Sequence, residues 1–127
     1  MCKFTNPFNI YALKLVNNKY YIGKTQYNVL TRFNKHVQGY GSQWTKLYKP
    51  IGIVEQFETI DKFAEDTWTK KYMDMFGLEN VRGGSYANIV LSEWQIKALI
   101  TELRTSNDLC FNCGKSGHFA SQCIVIK

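Results

Sequence analysis

The chain has 127 residues, with 16 Lys or Arg against 10 Asp or Glu, which gives a formal net charge of +6. This length can bury the core of one domain and leaves room for a short appended module. A membrane helix needs a run of about 20 apolar residues, and this sequence contains none. Lys3, Asn6 and Pro7 interrupt the opening before the apolar run of a secretory signal forms. We therefore expect an intracellular protein of a reducing compartment, the cytoplasm or nucleus.

The charge is unevenly distributed along the chain. Residues 1–50 contain eight Lys or Arg and no acidic residue, whereas all 10 acids lie between Glu55 and Asp108. A basic half predicts a surface that binds an anionic partner. The stretch NKYYIGKTQYNVLTRFNKH, residues 18–36, adds phenol, guanidinium and imidazole groups without counter-charge. A site that cleaves phosphodiesters needs such groups where its substrate binds.

The first predicted element is a β-hairpin over residues 9–23. NIYALKLV alternates apolar and polar side chains, Asn17 and Asn18 tolerate positive φ, and KYYIG resumes a strand. Tyr20 and Tyr27 are expected to pack against the core, as aromatic residues in and beside strands usually do.

A helix is predicted over residues 29–37. Its apolar side chains recur at helical spacing, at Val29, Leu30, Phe33 and Val37. Arg32 and His36 are four residues apart and therefore share the other face. GYGS then closes the helix, and PIGIVEQF is predicted to begin a third strand after Pro50.

Two further helices are predicted in the second half of the chain. TIDKFAEDTWTKKYMDMF carries an apolar stripe with Glu65 at its edge and ends at Gly77. The stripe consists of Phe63, Ala64, Trp68, Tyr72 and Phe76. LSEWQIKALITELR begins with a capping box of Ser92 and Gln95. Trp94 of this helix is expected to anchor a core.

The C-terminal segment CFNCGKSGHFASQC has the spacing CX2CX4HX4C. Three thiolates and one imidazole form a closed tetrahedral ligand set for structural zinc. The predicted zinc ligands are Cys110, Cys113, His118 and Cys123. The segment resembles the zinc knuckle of retroviral nucleocapsid-type proteins, which bind single-stranded nucleic acid.

The order of motifs in the basic half resembles the GIY-YIG endonuclease family. NIYALKL matches the first strand signature with Tyr11 as its tyrosine, and the glycine of that signature is Asn9 here. YYIGKT contains the second signature, with Tyr21 as its tyrosine. Arg32 and His36 follow in the arrangement that the family uses on its first helix.

This resemblance implies hydrolysis that leaves a 5′-phosphate and a 3′-hydroxyl. Tyr11 or Tyr21 would activate or position the attacking water. Arg32 would bind the scissile phosphate, and His36 would assist by hydrogen bonding or proton transfer. Which of Tyr11, Tyr21 and His36 is the general base stays open.

A divalent ion, Mg²⁺ or Mn²⁺, is implied as the catalytic cofactor. By helix placement we assign its glutamate ligand to Glu65, and Asn80 would be the supporting asparagine after that helix. The alternative ligands are Glu58, Asp61 and Asp66.

Further side chains are expected to bind nucleic acid directly. In the basic half they are Lys24, Lys35, Trp44 and Lys46, and in the knuckle they are Phe111, Lys115 and Phe119. We therefore predict an endonuclease that acts on DNA, with RNA as the other substrate class, and a knuckle that assists binding. The alternative is an inactive GIY-YIG scaffold that binds nucleic acid through its basic surface and its knuckle.

The expected fold is α+β, with an antiparallel sheet of about three strands flanked by helices. The resemblance covers about residues 8–88, and we place the nuclease domain at residues 1–90. Residues 91–106 would form a helix and linker, and residues 107–127 the CCHC zinc knuckle. The combination of this domain with a zinc knuckle is similar to small nucleases of large DNA viruses or mobile elements. This similarity adds a viral replication site to the cytoplasm and nucleus as an expected compartment.

Overall fold

The structure is a computed structural model and describes residues 6–106. It divides into a unit that ends at Val90 and a second that begins at Leu91. The strands of the first unit are β1 (Phe8–Leu15), β2 (Lys19–Thr25), β3 (Pro50–Thr59) and β4 (Val81–Gly83), and its helices are α1 (Val29–Val37), α2 (Gln43–Leu47) and α3 (Ala64–Phe76). In the second unit the described residues form α4 (Glu93–Ser106). All predicted zinc ligands lie outside the described residues.

The four strands form one mixed sheet in the order β3, β1, β2, β4. β1 pairs antiparallel with β2 and with β3, as predicted, and β4 pairs parallel with β2. The α+β class is confirmed, but the expectation of about three antiparallel strands misses β4. That strand is three residues long, which is too short to show an alternating pattern in the sequence.

The predicted hairpin is confirmed. It turns at Asn17 and Asn18, whose φ angles are 61° and 58°, a region that Asn enters more readily than most residues. Across the hairpin, Tyr11 lies opposite Gly23 and Leu13 lies opposite Tyr21. Residues directly opposite each other share a face of the sheet, so the two tyrosines of the signatures lie on one face, one diagonal step apart.

Both faces of the β1–β2 pair are buried. The core cluster on the tyrosine face consists of Tyr11, Leu13, Leu15, Tyr21, Val29 and Trp44. On the opposite face, Tyr20 stacks on Phe76 of α3 with 4.2 Å between ring centroids. The sheet is therefore covered by α1 and α2 on one side and by α3 on the other, which keeps α1 against the two tyrosines.

Helix α1 has the predicted bounds but presents a different face to the sheet. Leu30 is 58% exposed, whereas His36 is 1% exposed. Val29, Arg32, Phe33 and His36 form the inward stripe at helical spacing. The phenols of the sheet supply hydrogen-bond partners there, which is why polar side chains can point inward.

Three predictions about aromatic residues are wrong. Trp44 is 3% exposed, and its Nε1 donates to the Tyr20 carbonyl over 2.9 Å, so it is a core residue and not a nucleic-acid contact. Trp94, expected in a core, is 86% exposed. Phe63 is 65% exposed because it is the N-cap residue of α3 and precedes the helix proper.

Two helix-end predictions are confirmed. Helix α3 stops at Gly77, and the Ser92–Gln95 capping box forms with reciprocal bonds of 3.1 and 3.2 Å. Between residues 6 and 106, no helix has the length and apolarity to cross a membrane.

Candidate active site

Helix α1 presents its arginine and histidine to the two tyrosines of the sheet. The Tyr11 hydroxyl lies 2.9 Å from His36 Nε2, and Arg32 is near enough to act against the rise in the Tyr11 pKa. The His36 ring centroid is 5.8 Å from that of Tyr11 and 5.2 Å from that of Tyr21. The structure thus brings together four side chains that the sequence assigned to one site.

The hydrogen bonds around His36 define which ring nitrogen carries the proton. Thr45 Oγ1 donates to the Ser42 carbonyl over 3.0 Å, so its single hydrogen is committed. It can therefore only accept from His36 Nδ1, which lies 3.0 Å away. The Nε2 atom is then unprotonated and accepts from the Tyr11 hydroxyl.

Ser42 and Thr45 are site residues that the sequence analysis missed. The Ser42 hydroxyl donates to Thr45 Oγ1 over 3.3 Å. The only signal was the place of Ser42 in GYGS, which we predicted to close α1, with Thr45 three residues further on. A chain of hydrogen bonds joins Tyr11, His36, Thr45 and Ser42.

Thr45→Val is expected to release the His36 ring from its single tautomer. Valine keeps the volume but removes the acceptor of the Nδ1 proton, at a cost of about 1–3 kcal/mol for the unpaired buried group. Long-range ¹H–¹⁵N correlation spectra would show Nδ1 protonated in the native chain and mixed tautomers in the variant. Thr45→Ser keeps the hydroxyl and should leave the native spectrum; an unprotonated Nδ1 in the native chain would contradict the assignment.

Two glycines make room for the buried rings. A Cβ on Gly23 would overlap the Tyr11 ring and hydroxyl, and a Cβ on Gly41 would overlap His36 Nδ1. Gly23 of the second signature is therefore required because Tyr11 of the first signature lies directly across the hairpin from it and approaches it closely.

Gly23→Ala is expected to displace Tyr11 and to lower the free energy of unfolding by about 1–3 kcal/mol, as overpacking of a core does. Gly52→Ala is the matched control, because a Cβ there meets no atom within 4 Å. Urea denaturation of both variants measures the difference. Equal stabilities would show that Tyr11 does not depend on the space above Gly23.

Burial sets the protonation states of the site. It raises the pKa of Tyr11 and of Tyr21, so both phenols keep their protons. Burial, together with the nearby Arg32 charge, lowers the pKa of His36 to about 4. His36 is therefore a neutral imidazole at physiological pH, in agreement with its two hydrogen bonds.

The depressed pKa of His36 predicts a loss of stability in mild acid. The unfolded chain takes up this proton near pH 6.5 and the folded chain only near pH 4, so stability is complete above pH 6.5 and falls as the pH drops to 4. The expected loss is about 3 kcal/mol. Urea denaturation of the native chain and His36→Gln at both ends of this window measures it; equal pH dependence would contradict the prediction.

Glu65 lies in the first turn of α3, half-buried. Burial raises its pKa, and the charge of Lys24 acts against that rise. Its charge in turn acts on both Tyr11 and Tyr21. The place of this carboxylate at the site of the phenols stays a prediction.

Two of the alternative metal ligands have hydrogen-bond partners of their own, although the charge of Asp66 also acts on Glu65. Asp66 accepts from the Ser85 amide and hydroxyl, both at 2.8 Å, and Asp61 accepts from the Phe63 amide at 2.9 Å. These carboxylates stabilise a turn and a helix start. Glu58 is exposed on β3.

Asn80 has structural partners. Its side chain accepts from Lys19 Nζ over 2.7 Å and donates to the Phe76 carbonyl over 2.7 Å. It thus closes the end of α3, and the catalytic role expected for it stays a prediction. Lys24, Lys35 and Lys46 are exposed, as nucleic-acid contacts must be.

These features define an α+β domain in which two tyrosines of the sheet meet an arginine and a histidine of α1. The GIY-YIG catalytic domain model matches residues 7–78, and the zinc knuckle model matches residues 108–123, which include all four predicted zinc ligands. No curated protein and no solved structure matches the chain. Because the first match covers more than half of the chain, the protein belongs to the GIY-YIG family, and the resemblance seen in the sequence is confirmed.

Proposed function

We propose that the protein is a metal-dependent endonuclease that hydrolyses phosphodiester bonds in DNA. The observation that carries this proposal is the hydrogen bond between Tyr11 and His36, with Tyr21 beside them and the charge of Arg32 acting on all three. A pure binding surface has no need to bury a phenol and a neutral imidazole behind its cations.

Arg32 would bind the scissile phosphate and stabilise the negative charge that develops on its oxygens. Tyr11 and His36 are each 1% exposed, so we assign them to holding the guanidinium in position. Tyr21 is 9% exposed and is the phenol that we assign to orienting the water. The water oxygen bonds to phosphorus as the bond from phosphorus to the 3′ oxygen breaks, which leaves a 5′-phosphate and a 3′-hydroxyl.

The donor set suits a hard divalent ion. Mg²⁺ keeps several water ligands and commonly binds through one or two carboxylates and substrate phosphates, so Glu65 would suffice as the protein ligand of Mg²⁺ or Mn²⁺. When bound, such an ion polarises a phosphoryl oxygen.

The zinc knuckle would hold the substrate near the cutting site. Three thiolates and one imidazole bind one Zn²⁺, and a second binding module on the same chain raises the local concentration of the strand. Cys113→Ser should therefore lose the one zinc equivalent and bind single strands more weakly, as metal analysis and a binding titration would show.

The test is incubation of the full chain with plasmid, single-stranded and branched DNA, with and without Mg²⁺ or Mn²⁺, beside RNA of the same sequences. We expect cleavage only with the divalent ion, and products that ligate directly because they carry 5′-phosphate and 3′-hydroxyl ends. Binding without cutting under every metal condition would reject the proposal and favour the inactive scaffold.

A further inference from the structure

Tyr27 lies in solvent beside the site, although the sequence predicted that it packs. Its side chain is 76% exposed. It stands in the connection between β2 and α1, two residues before the helix that carries Arg32. A large aromatic ring that stays in water gains nothing from the fold itself, which raises the question of what it binds.

The backbone that carries this ring is held on both sides. The Tyr27 amide donates to Thr25 Oγ1 over 3.1 Å, and the Asn9 side-chain amide donates to the Tyr27 carbonyl over 3.3 Å. Asn9 stands where the first family signature has its glycine, which has no side chain to form this bond. The departure from the signature therefore fixes the backbone of an exposed aromatic residue.

The ring borders a hollow that also contains the catalytic arginine. The hollow has a volume of about 590 Å³ and is lined by Thr25, Tyr27, Asn28, Thr31, Arg32 and Lys35. Two of these six side chains are cationic and none is acidic. Its volume lies within the range of about 300–1,000 Å³ that is usual for ligand sites.

A second hollow of about 250 Å³ shares Thr25 with the first. It is lined by Phe8, Lys24 and Gln26 in addition to Thr25, and the Lys24 ammonium lies 5.6 Å from the Phe8 ring centroid. Each of the two hollows is thus lined by an aromatic side chain and by at least one cationic side chain. Cations follow a phosphate backbone, and exposed rings accept the faces of unstacked bases.

We propose that Tyr27 is a stacking platform for one unpaired nucleobase beside the phosphate that Arg32 binds. The inference rests on the proposed function, because it places a nucleotide strand at Arg32. An apolar peptide would use the ring but not the cations, and a free phosphate would use the cations but not the ring. A nucleotide uses both, and a residue whose backbone is held by Asn9 and Thr25 loses less freedom when its ring binds one.

The test compares two single strands of equal length and charge, an oligothymidylate and a strand that lacks all its bases. Affinities of the full chain are measured by fluorescence anisotropy without Mg²⁺ or Mn²⁺ but with its zinc retained. Tyr27→Ala should weaken oligothymidylate binding about 5- to 30-fold and leave binding of the baseless strand unchanged. Tyr27→Phe should bind as the native chain does, because stacking needs the ring and not the hydroxyl.

Two further variants make the test specific. Tyr40→Ala is the matched control, because Tyr40 is 73% exposed and does not line the hollow. Asn9→Gly should cost about 2- to 5-fold for oligothymidylate alone, as the platform becomes less well ordered.

The proposal is overturned by equal effects of Tyr27→Ala and Tyr40→Ala, by an equal loss on the baseless strand, or by a loss in Tyr27→Phe as large as in Tyr27→Ala. These measurements need no cleavage. A base-dependent loss in a protein that cuts nothing would reject the proposed nuclease and support the platform, whereas active cleavage with no base-dependent loss would reject the platform alone.

Discussion

Arg32→Lys is expected to reduce the rate of cleavage at saturating DNA by about 10³-fold. Lysine keeps the charge but has no planar fork of donors. The native guanidinium lies beside the Tyr11 hydroxyl, on whose pKa it acts, and that hydroxyl is held by His36. An ammonium cannot bind two phosphate oxygens in the same geometry. The measurement is single-turnover cleavage, together with a binding titration.

The matched control is Lys35→Ala, one turn further along α1. Lys35 lines the same hollow as Arg32 but is exposed and stands apart from the hydrogen bonds around Tyr11. We expect weaker binding and a nearly unchanged rate at saturation, because a phosphate contact contributes affinity and not transition-state stabilisation. If Lys35→Ala slowed the saturated rate as much as Arg32→Lys does, Arg32 would have no special role.

Glu65→Gln is expected to abolish cleavage with either Mg²⁺ or Mn²⁺, by about 10³-fold or more. Glutamine keeps the shape of the side chain but lacks the negative charge that a divalent ion needs from its one protein ligand. Glu58→Gln removes the same charge from an exposed position on β3 and should cleave as the native chain does. Loss of activity in Glu58→Gln with activity kept in Glu65→Gln would reverse the assignment.

The raised pKa of Glu65 gives this prediction a pH dependence. A protonated carboxyl does not bind Mg²⁺, and burial keeps this carboxyl protonated to higher pH than an exposed glutamate. Metal affinity should therefore fall as the pH is lowered through the raised pKa and level off above it. Calorimetric titration with Mn²⁺ across this range measures the effect.

The local elements of the fold were predictable because their signals are local. The positive φ of Asn17 and Asn18, the spacing of α1 and the glycine at the end of α3 each follow from a few neighbouring residues. Strand β4 was missed because it consists of three residues and its parallel partner is distant in sequence. The burial of Trp44 was missed for a similar reason, because the carbonyl that accepts from its Nε1 belongs to Tyr20 of a different element.

The candidate site was predictable only as a set of residues. Family motifs identified Tyr11, Tyr21 and Arg32, but no periodicity reveals that α1 turns its polar side chains inward. The inward direction of His36 depends on the phenols that it meets across the fold. Thr45 likewise has no signature of its own, since its role exists only through a hydrogen bond to His36.

The most direct measurement of the central claim is anomalous diffraction from crystals of the full chain grown with Mn²⁺ and a DNA strand that carries a cleavage-resistant phosphorothioate. The account predicts one manganese ion bound to a Glu65 carboxylate oxygen, with the phosphate at that ion hydrogen-bonded to Arg32. Manganese on Glu58 or Asp61 with Glu65 unligated, or a strand bound away from Arg32, would contradict it.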